Sequence, residues 1–444
     1  MTIQLLMESW ENARHDLPEV CMTAGSLRIS VGQHSLTRNE DEWSLTVKQT
    51  THVSAYPLAQ WLAASWWRLR WEPLPIGTIA PVSWRMAHEL PAAGYGFLWP
   101  QIVFACDGEN MQIWSIPTRP ESTQPIHYLT DWHESVPVKA FVDAIDTFMD
   151  LVINRLDAVK PDARDLRNLW DEVREERDNS EFAEFRRIEA MLGSEPDELC
   201  SKIVEHFVDL GNSIGSSVVG EIASACASDD PISQFSKIDN AANMSGINGK
   251  FSLPIIEKSS QGPKHQQPWE RGQQLALKVR DAMGLNGQAI SDEVLFSLAE
   301  LKSDQAVSDA FGMGRLPVGI AVRQESDKVK FVLRKRNKAG RRFEFTRLLC
   351  DHLLSDPKDL WLPATDTKTI RQKWQRAFAA EFLCPIDALI SRLGDDFSED
   401  SVEAAADHFG VSEKTVTSQL VNHGHLPIYA IQEKSSSGKF PYLI

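Results

Sequence analysis

The chain has 444 residues, 42% hydrophobic and 24% charged, with a formal net charge of −16. That composition excludes a disordered chain and leaves room for two or three domains, each burying its own core, while the acidic balance argues against non-specific adhesion to nucleic acid or membrane. No apolar run approaches the roughly 18 residues of a membrane helix, and the opening MTIQLLMESWEN lacks a basic start and a small-residue cleavage site, so a cytoplasmic location is expected.

Residues 1–135 read as a Trp-rich α+β domain, with ten of the chain's 14 tryptophans at or before position 132. SLRISV (26–31), QIVFAC (101–106) and MQIWSI (111–116) alternate as strands do, and the Asp-Gly-Glu-Asn turn chemistry between the last two predicts a hairpin. Residues 56–72 predict a helix buried on more than one side, since Trp61, Trp66, Trp67 and Trp71 surround most of it. Such a segment could stack bases or grip a peptide; the plainer reading is a core packed with aromatics. His88-Glu89 in WRMAHEL imitates half of a metalloprotease helix by coincidence, because Ala92 stands where a second histidine would be needed.

Residues 136–228 predict a helical region. Phe141, Ile145, Phe148, Val152 and Leu156 recur at helical spacing, a long charged helix is expected over 163–192, and another helix over 197–210. Residues 229–268 are rich in Gly, Ser, Asn, Gln and Pro, have little to bury, and read as the linker between domains. The six cysteines (Cys21, Cys106, Cys200, Cys226, Cys350, Cys384) form no C-x-x-C pair and read as reduced.

The C-terminal domain, 269–444, opens with a helix over 268–285. Strands are expected at 316–324 and 328–336, with NKAG (337–340) turning into a further strand end at RRFEF. That hairpin would gather Arg334, Lys335, Arg336, Lys338, Arg341 and Arg342, a local basic tip able to contact nucleic-acid phosphates in an otherwise acidic chain. The plainer reading is charge protecting an exposed edge. Residues 401–424 carry Ala406, Gly410 and Val416 at helix-turn-helix spacing, with Ser412 as the second helix's cap. Lys414 is the one basic residue over 411–422, which favours a structural over a DNA-reading role. GSSVVG (215–220) and GMG (312–314) lack the residues that a phosphate loop needs.

RRF at 341–343, the Leu348-Leu349 run and FAAEFLCP at 378–385 resemble the ImmA/IrrE family of zinc metallo-endopeptidases over about residues 275–426. In that family a helix carrying H-E-x-x-H follows the RRF-like strand end, and a later helix adds a glutamate. With His352 on the second histidine, the first histidine falls on Leu348, the general-base glutamate on Leu349 and the third ligand on Trp374. The resemblance therefore implies a zincin-like fold with a degenerate site. No catalytic residue and no zinc or other cofactor is expected, and His352 is the sole surviving candidate ligand.

The first functional reading is a binding or regulatory protein on a peptidase-like scaffold. The resemblance implies a bacterial setting of stress response, mobile-element control or phage defence, and a protein partner, one encoded nearby included. The second is an active metallo-endopeptidase with a rebuilt site, for example His352 with Asp351 and a distant residue. The third is a helix-turn-helix DNA-binding regulator.

Overall fold

The computed structural model describes residues 2–427 except 78, 160–163, 229, 245, 254–267, 303–315 and 317. They form a mixed α+β fold of small antiparallel sheets and many helices. The chain divides into two compact units, Met1–Glu205 and His206–Ile444, and the two apolar clusters fall one in each.

The first unit begins with strand Ile3–Trp10. Ile3, Leu5 and Met7 are buried while Gln4, Leu6 and Glu8 are exposed, the period-two pattern of a sheet covered on one face. It pairs antiparallel with Ala24–Val31, from Ile3 opposite Val31 to Trp10 opposite Gly25, and Thr51–Ser54 also joins Ala24–Val31. The hairpin expected near residue 108 is present as Gln101–Cys106 and Asn110–Ile116, with Trp132–Pro137 on the far edge. Asp107 closes its turn by accepting from the amides of Glu109 and Asn110 at 3.1 and 2.8 Å.

The single helix expected over 56–72 is two, Ala55–Ala64 and Trp66–Trp71, meeting at Ser65. Trp61, Trp66, Trp67, Trp84 and Trp99 are buried, and Trp66 meets Trp170 edge to face at 5.4 Å. These indoles are core side chains. Helix Val138–Val159 lays Phe141, Ile145, Phe148, Val152 and Leu156 into the same cluster, as their spacing predicts. The charged stretch after it is split into Arg164–Asp178 and Ser180–Met191. Asn179 is extended there, and its side chain accepts from the amides of Glu181 and Phe182.

In the second unit, the segment expected as a linker carries helix Pro231–Asn243, capped by Asp230, and strand Ile247–Lys250. Residues 254–267 of that segment, and the GMG at 312–314, lie outside the described residues. Strands Ile247–Lys250, Lys328–Val332, Gly319–Arg323 and Trp361–Ala364 form an antiparallel sheet in that order. Helices Pro268–Ala282, Lys338–Leu354 and Ile370–Leu383 give Val279, Phe345, Leu348, Leu349, Phe378 and Phe382 to a cluster shared with Phe331 and Leu362 of the sheet. Gly272 permits a close crossing of the first and third of these helices, because a Cβ there would strike the Trp374 carbonyl oxygen.

The helical pair expected at 401–424 is Glu399–Phe409 and Glu413–Asn422, with Gly410 left-handed at φ 63° between them. Ala406 and Val416 are buried, and the Ser412 hydroxyl accepts from the Thr415 amide at 3.2 Å. Arg342 ties this pair to the unit, donating to the Gly410 carbonyl at 3.0 Å and the Ile290 carbonyl at 2.6 Å, and pairing with Asp292. Among the described residues no helix is long and apolar enough to cross a membrane.

Candidate functional site

Two helices of the second unit face each other across a layer that is apolar on one side and polar on the other. The first, Lys338–Leu354, starts where the Asn337 side chain accepts from the Gly340 amide at 2.6 Å. That cap overturns the expected hairpin, since RRFEF is the opening of this helix and not a strand end, and the strand before it stops at Val332.

The basic tip therefore does not form as expected. Arg334 is bound to Glu344 at 2.8 Å and to Asp366 at 2.6 and 2.9 Å, Lys338 pairs with Asp292 at 2.9 Å, and Arg341 and Arg342 are buried. Lys335 and Arg336 remain exposed.

The four positions placed on the peptidase motif have different neighbours. Leu348 and Leu349 are fully buried in the apolar cluster. His352 is half-buried, stacked on Phe251 at 3.9 Å, with its Nδ1 3.3 Å from Arg323 Nη2. Trp374 is half-buried with the Arg271 guanidinium 4.4 Å from its ring centre. Among the described residues no group of three or more His, Cys, Asp and Glu side chains is placed to hold a metal ion.

The polar side of the layer is built from residues that sequence reasoning passed over, apart from Asp351, which it named only as a partner of His352 in a rebuilt metal site. Arg347 and Asp351 lie at i and i+4 on the first helix, one residue before the pair of positions singled out, and both are buried. Arg371, on the facing helix Ile370–Leu383, closes on Asp351 with two hydrogen bonds of 2.7 and 2.8 Å. Its remaining nitrogen reaches Ser217 at 3.0 Å and Asp359 at 3.2 Å, and Ser217 donates to the same Asp359 oxygen at 2.7 Å.

Glu221 accepts from Thr369 at 2.8 Å and from Gln372 at 2.9 Å. Gln372 in turn accepts from the Thr365 amide at 3.0 Å and from Arg347. Burial opposes the Arg371 charge, but Asp351, Glu221 and Asp359 outweigh it and hold its pKa above the ordinary value. Burial lifts the Glu221 carboxyl above its usual range, with Arg371, Thr369 and Gln372 opposing and Asp351 adding to the rise. The one signal that could have found this layer is the i, i+4 pair of opposite charges inside an otherwise apolar run.

The first unit holds a smaller polar cluster at the WRMAHEL segment. Arg68 donates to Glu72 at 2.8 Å, and His88 lies 2.9 Å from the same oxygen. The other ring nitrogen of His88 is 2.8 Å from the Phe104 carbonyl, and Trp84 stacks on the ring at 4.1 Å. Because a carbonyl and a carboxylate both accept, His88 is a hydrogen-bonded core side chain with both nitrogens engaged.

No family model, curated protein or solved structure matches the chain.

Proposed function

We propose that the chain is a binding or regulatory protein whose C-terminal unit is a catalytically degenerate relative of the ImmA/IrrE peptidase domain. The observation that carries this is the Arg371–Asp351 pair, which closes the polar space between the two helices bearing the resemblance. A catalytic zinc needs three protein ligands and an open position. A guanidinium offers only donors and carries positive charge, and both oxygens of Asp351 are already committed to Arg371. Moving the motif by one residue, onto Arg347, Leu348 and Asp351, supplies no histidine. A rebuilt site using His352 and Asp351 would first have to break the bidentate pair. A protein partner and a cytoplasmic setting in stress response, mobile-element control or phage defence belong to this same reading.

Elemental analysis of the purified protein tests it. We expect zinc far below one equivalent and a melting curve unchanged by a chelator. Near-stoichiometric zinc that is lost in His352→Ala, together with chelator-sensitive proteolysis, would replace this reading with that of an active peptidase.

A further inference from the structure

One end of the polar layer concentrates cations in excess of its anions. Arg347 enters from the Lys338–Leu354 helix and Arg376 from the Ile370–Leu383 helix. Lys368 comes from the loop ahead of the latter. Arg347 is only 4% exposed, yet its hydrogen bonds go to neutral acceptors alone, the Thr365 carbonyl at 2.6 Å and the Gln372 side-chain oxygen. Its Nε is buried with no hydrogen-bond partner among the described residues.

Arg376 runs back along its own helix to the Thr365 and Thr367 carbonyls, at 3.3 and 2.8 Å. Two guanidinium groups thus hang on one carbonyl oxygen, and among the described residues neither has a carboxylate partner. Of the neighbouring acids, Glu344 and Asp366 are bound by Arg334, and Glu221 accepts from the neutral Thr369 and Gln372 side chains. Burial, then Arg376 and Arg334, push Arg347 down to about 9 against the pull of Glu344 and Asp366. Burial, then Arg376, Lys414 and Lys373, push Lys368 down to about 8 against Asp366.

Like charges packed this way oppose folding, and an unpaired buried donor adds to the cost. A bound anion would relieve both. We propose that Arg347, Arg376 and Lys368 form a site for a phosphate group, either free phosphate or a small phosphomonoester. Arginine forks match phosphate oxygens. The depth of Arg347 favours a small terminal phosphate over a nucleic-acid backbone, which cannot enter a buried site. The inference does not depend on the peptidase-like reading, since neither zinc nor its loss enters the argument.

Calorimetry and melting curves of the full chain would test it, with inorganic phosphate, adenosine monophosphate and a short DNA duplex as probes against sodium chloride of equal ionic strength. We expect saturable binding of phosphate or of the monophosphate, accompanied by a rise in melting temperature. In Arg376→Gln and Lys368→Met the affinity should fall about tenfold or more, as for loss of a charge-assisted hydrogen bond, while melting in phosphate-free buffer stays level or rises. The site is refuted if neither small anion binds saturably, if only the duplex binds, if the variants bind as tightly as the parent, or if they melt lower without phosphate, which would make those cations structural.

Discussion

Arg371 and Asp351 are the residues on which the second unit's polar layer turns. Both are buried and joined by two parallel bonds, so removing Arg371 strands the Asp351 charge in the interior, and removing Asp351 leaves Arg371 only its longer carboxylate contact, with Asp359 at 3.2 Å. Asp351→Ala should lower stability by about 3–5 kcal/mol, read as a shift in the urea midpoint, whereas Asp351→Leu combined with Arg371→Met should cost less than either change alone.

Glu221 should behave in the opposite sense. Its folded pKa is raised, so the folded state binds the extra proton between the ordinary carboxylate range and that raised value. Stability is then lost as pH rises through this window. Glu221→Gln keeps an oxygen for Thr369 and Gln372, and should flatten the dependence and raise the urea midpoint at neutral pH.

Lys368 contributes with another sign again. Its folded pKa of about 8 lies below the ordinary lysine value, with Arg376, Lys373, Lys414 and Asp366 as the charges around it. Stability in phosphate-free buffer should therefore rise with pH from about 8 toward the unfolded lysine value of about 10.4, a trend that Lys368→Met removes.

Of these residues the sequence drew attention to Asp351 alone, and there as a metal ligand beside His352. Histidine drew attention to position 352 because it is a familiar metal ligand. Arg, Gln and Thr at 347, 371, 372 and 365 are types that usually face water, so a buried layer made of them reads as an exposed helix face.

At the level of elements, the turn at Gly410 and the crossing at Gly272 are the points where a single methyl group has consequences. Gly410 is left-handed, and a Cβ there would lie 3.0 Å from Arg342 Nε. Gly410→Ala should cost about 1–2 kcal/mol from the backbone alone, and more if Arg342 gives up its carbonyl. Gly272→Ala must push two helices apart and should cost about 1–3 kcal/mol. Melting curves of the two variants would show whether either position is as tight as its geometry implies.

Helix existence was largely legible from apolar spacing, as in Phe141 to Leu156, and so was the Gln101–Ile116 hairpin from its turn residues. What misled was short alternation. Phe343 and Phe345 fit a strand end as well as a helix start, and the decision came from the Asn337 cap. Asn179 likewise ended one helix and began the next inside a stretch whose charge pattern was continuous.

For the whole molecule, composition pointed to a break at 229–268, but the compact units divide at 205/206. The Asp230-Pro231 pair, which reads as turn chemistry, is a helix cap, and the glycine-flanked Ile247–Lys250 is a strand of the sheet. A fragment beginning at residue 269 would lack that strand. It would also lose Ser217 and Glu221, the partners of Arg371, Thr369 and Gln372. Residues 206–444 expressed alone should therefore melt cooperatively, and residues 269–444 should not. Equal cooperativity of the two by circular dichroism would mean that the Ser216–Cys226 helix is dispensable. The proposed zincin-like reading of this unit rests on a few motif residues, and its polar layer depends on side chains more than 100 positions apart in the chain, such as Ser217 and Arg371, which no local pattern reveals.

Eleven of the 14 tryptophans belong to Met1–Glu205 and three to His206–Ile444. Indole emission will accordingly weigh the first unit most, while far-ultraviolet ellipticity weighs the helices of both. If the units differ in stability, the two optical signals will trace separate curves on heating. A scan by fluorescence alone would then record mainly the loosening of the tryptophan core, with Trp361 and Trp374 as the minor reporters of the Arg371 layer.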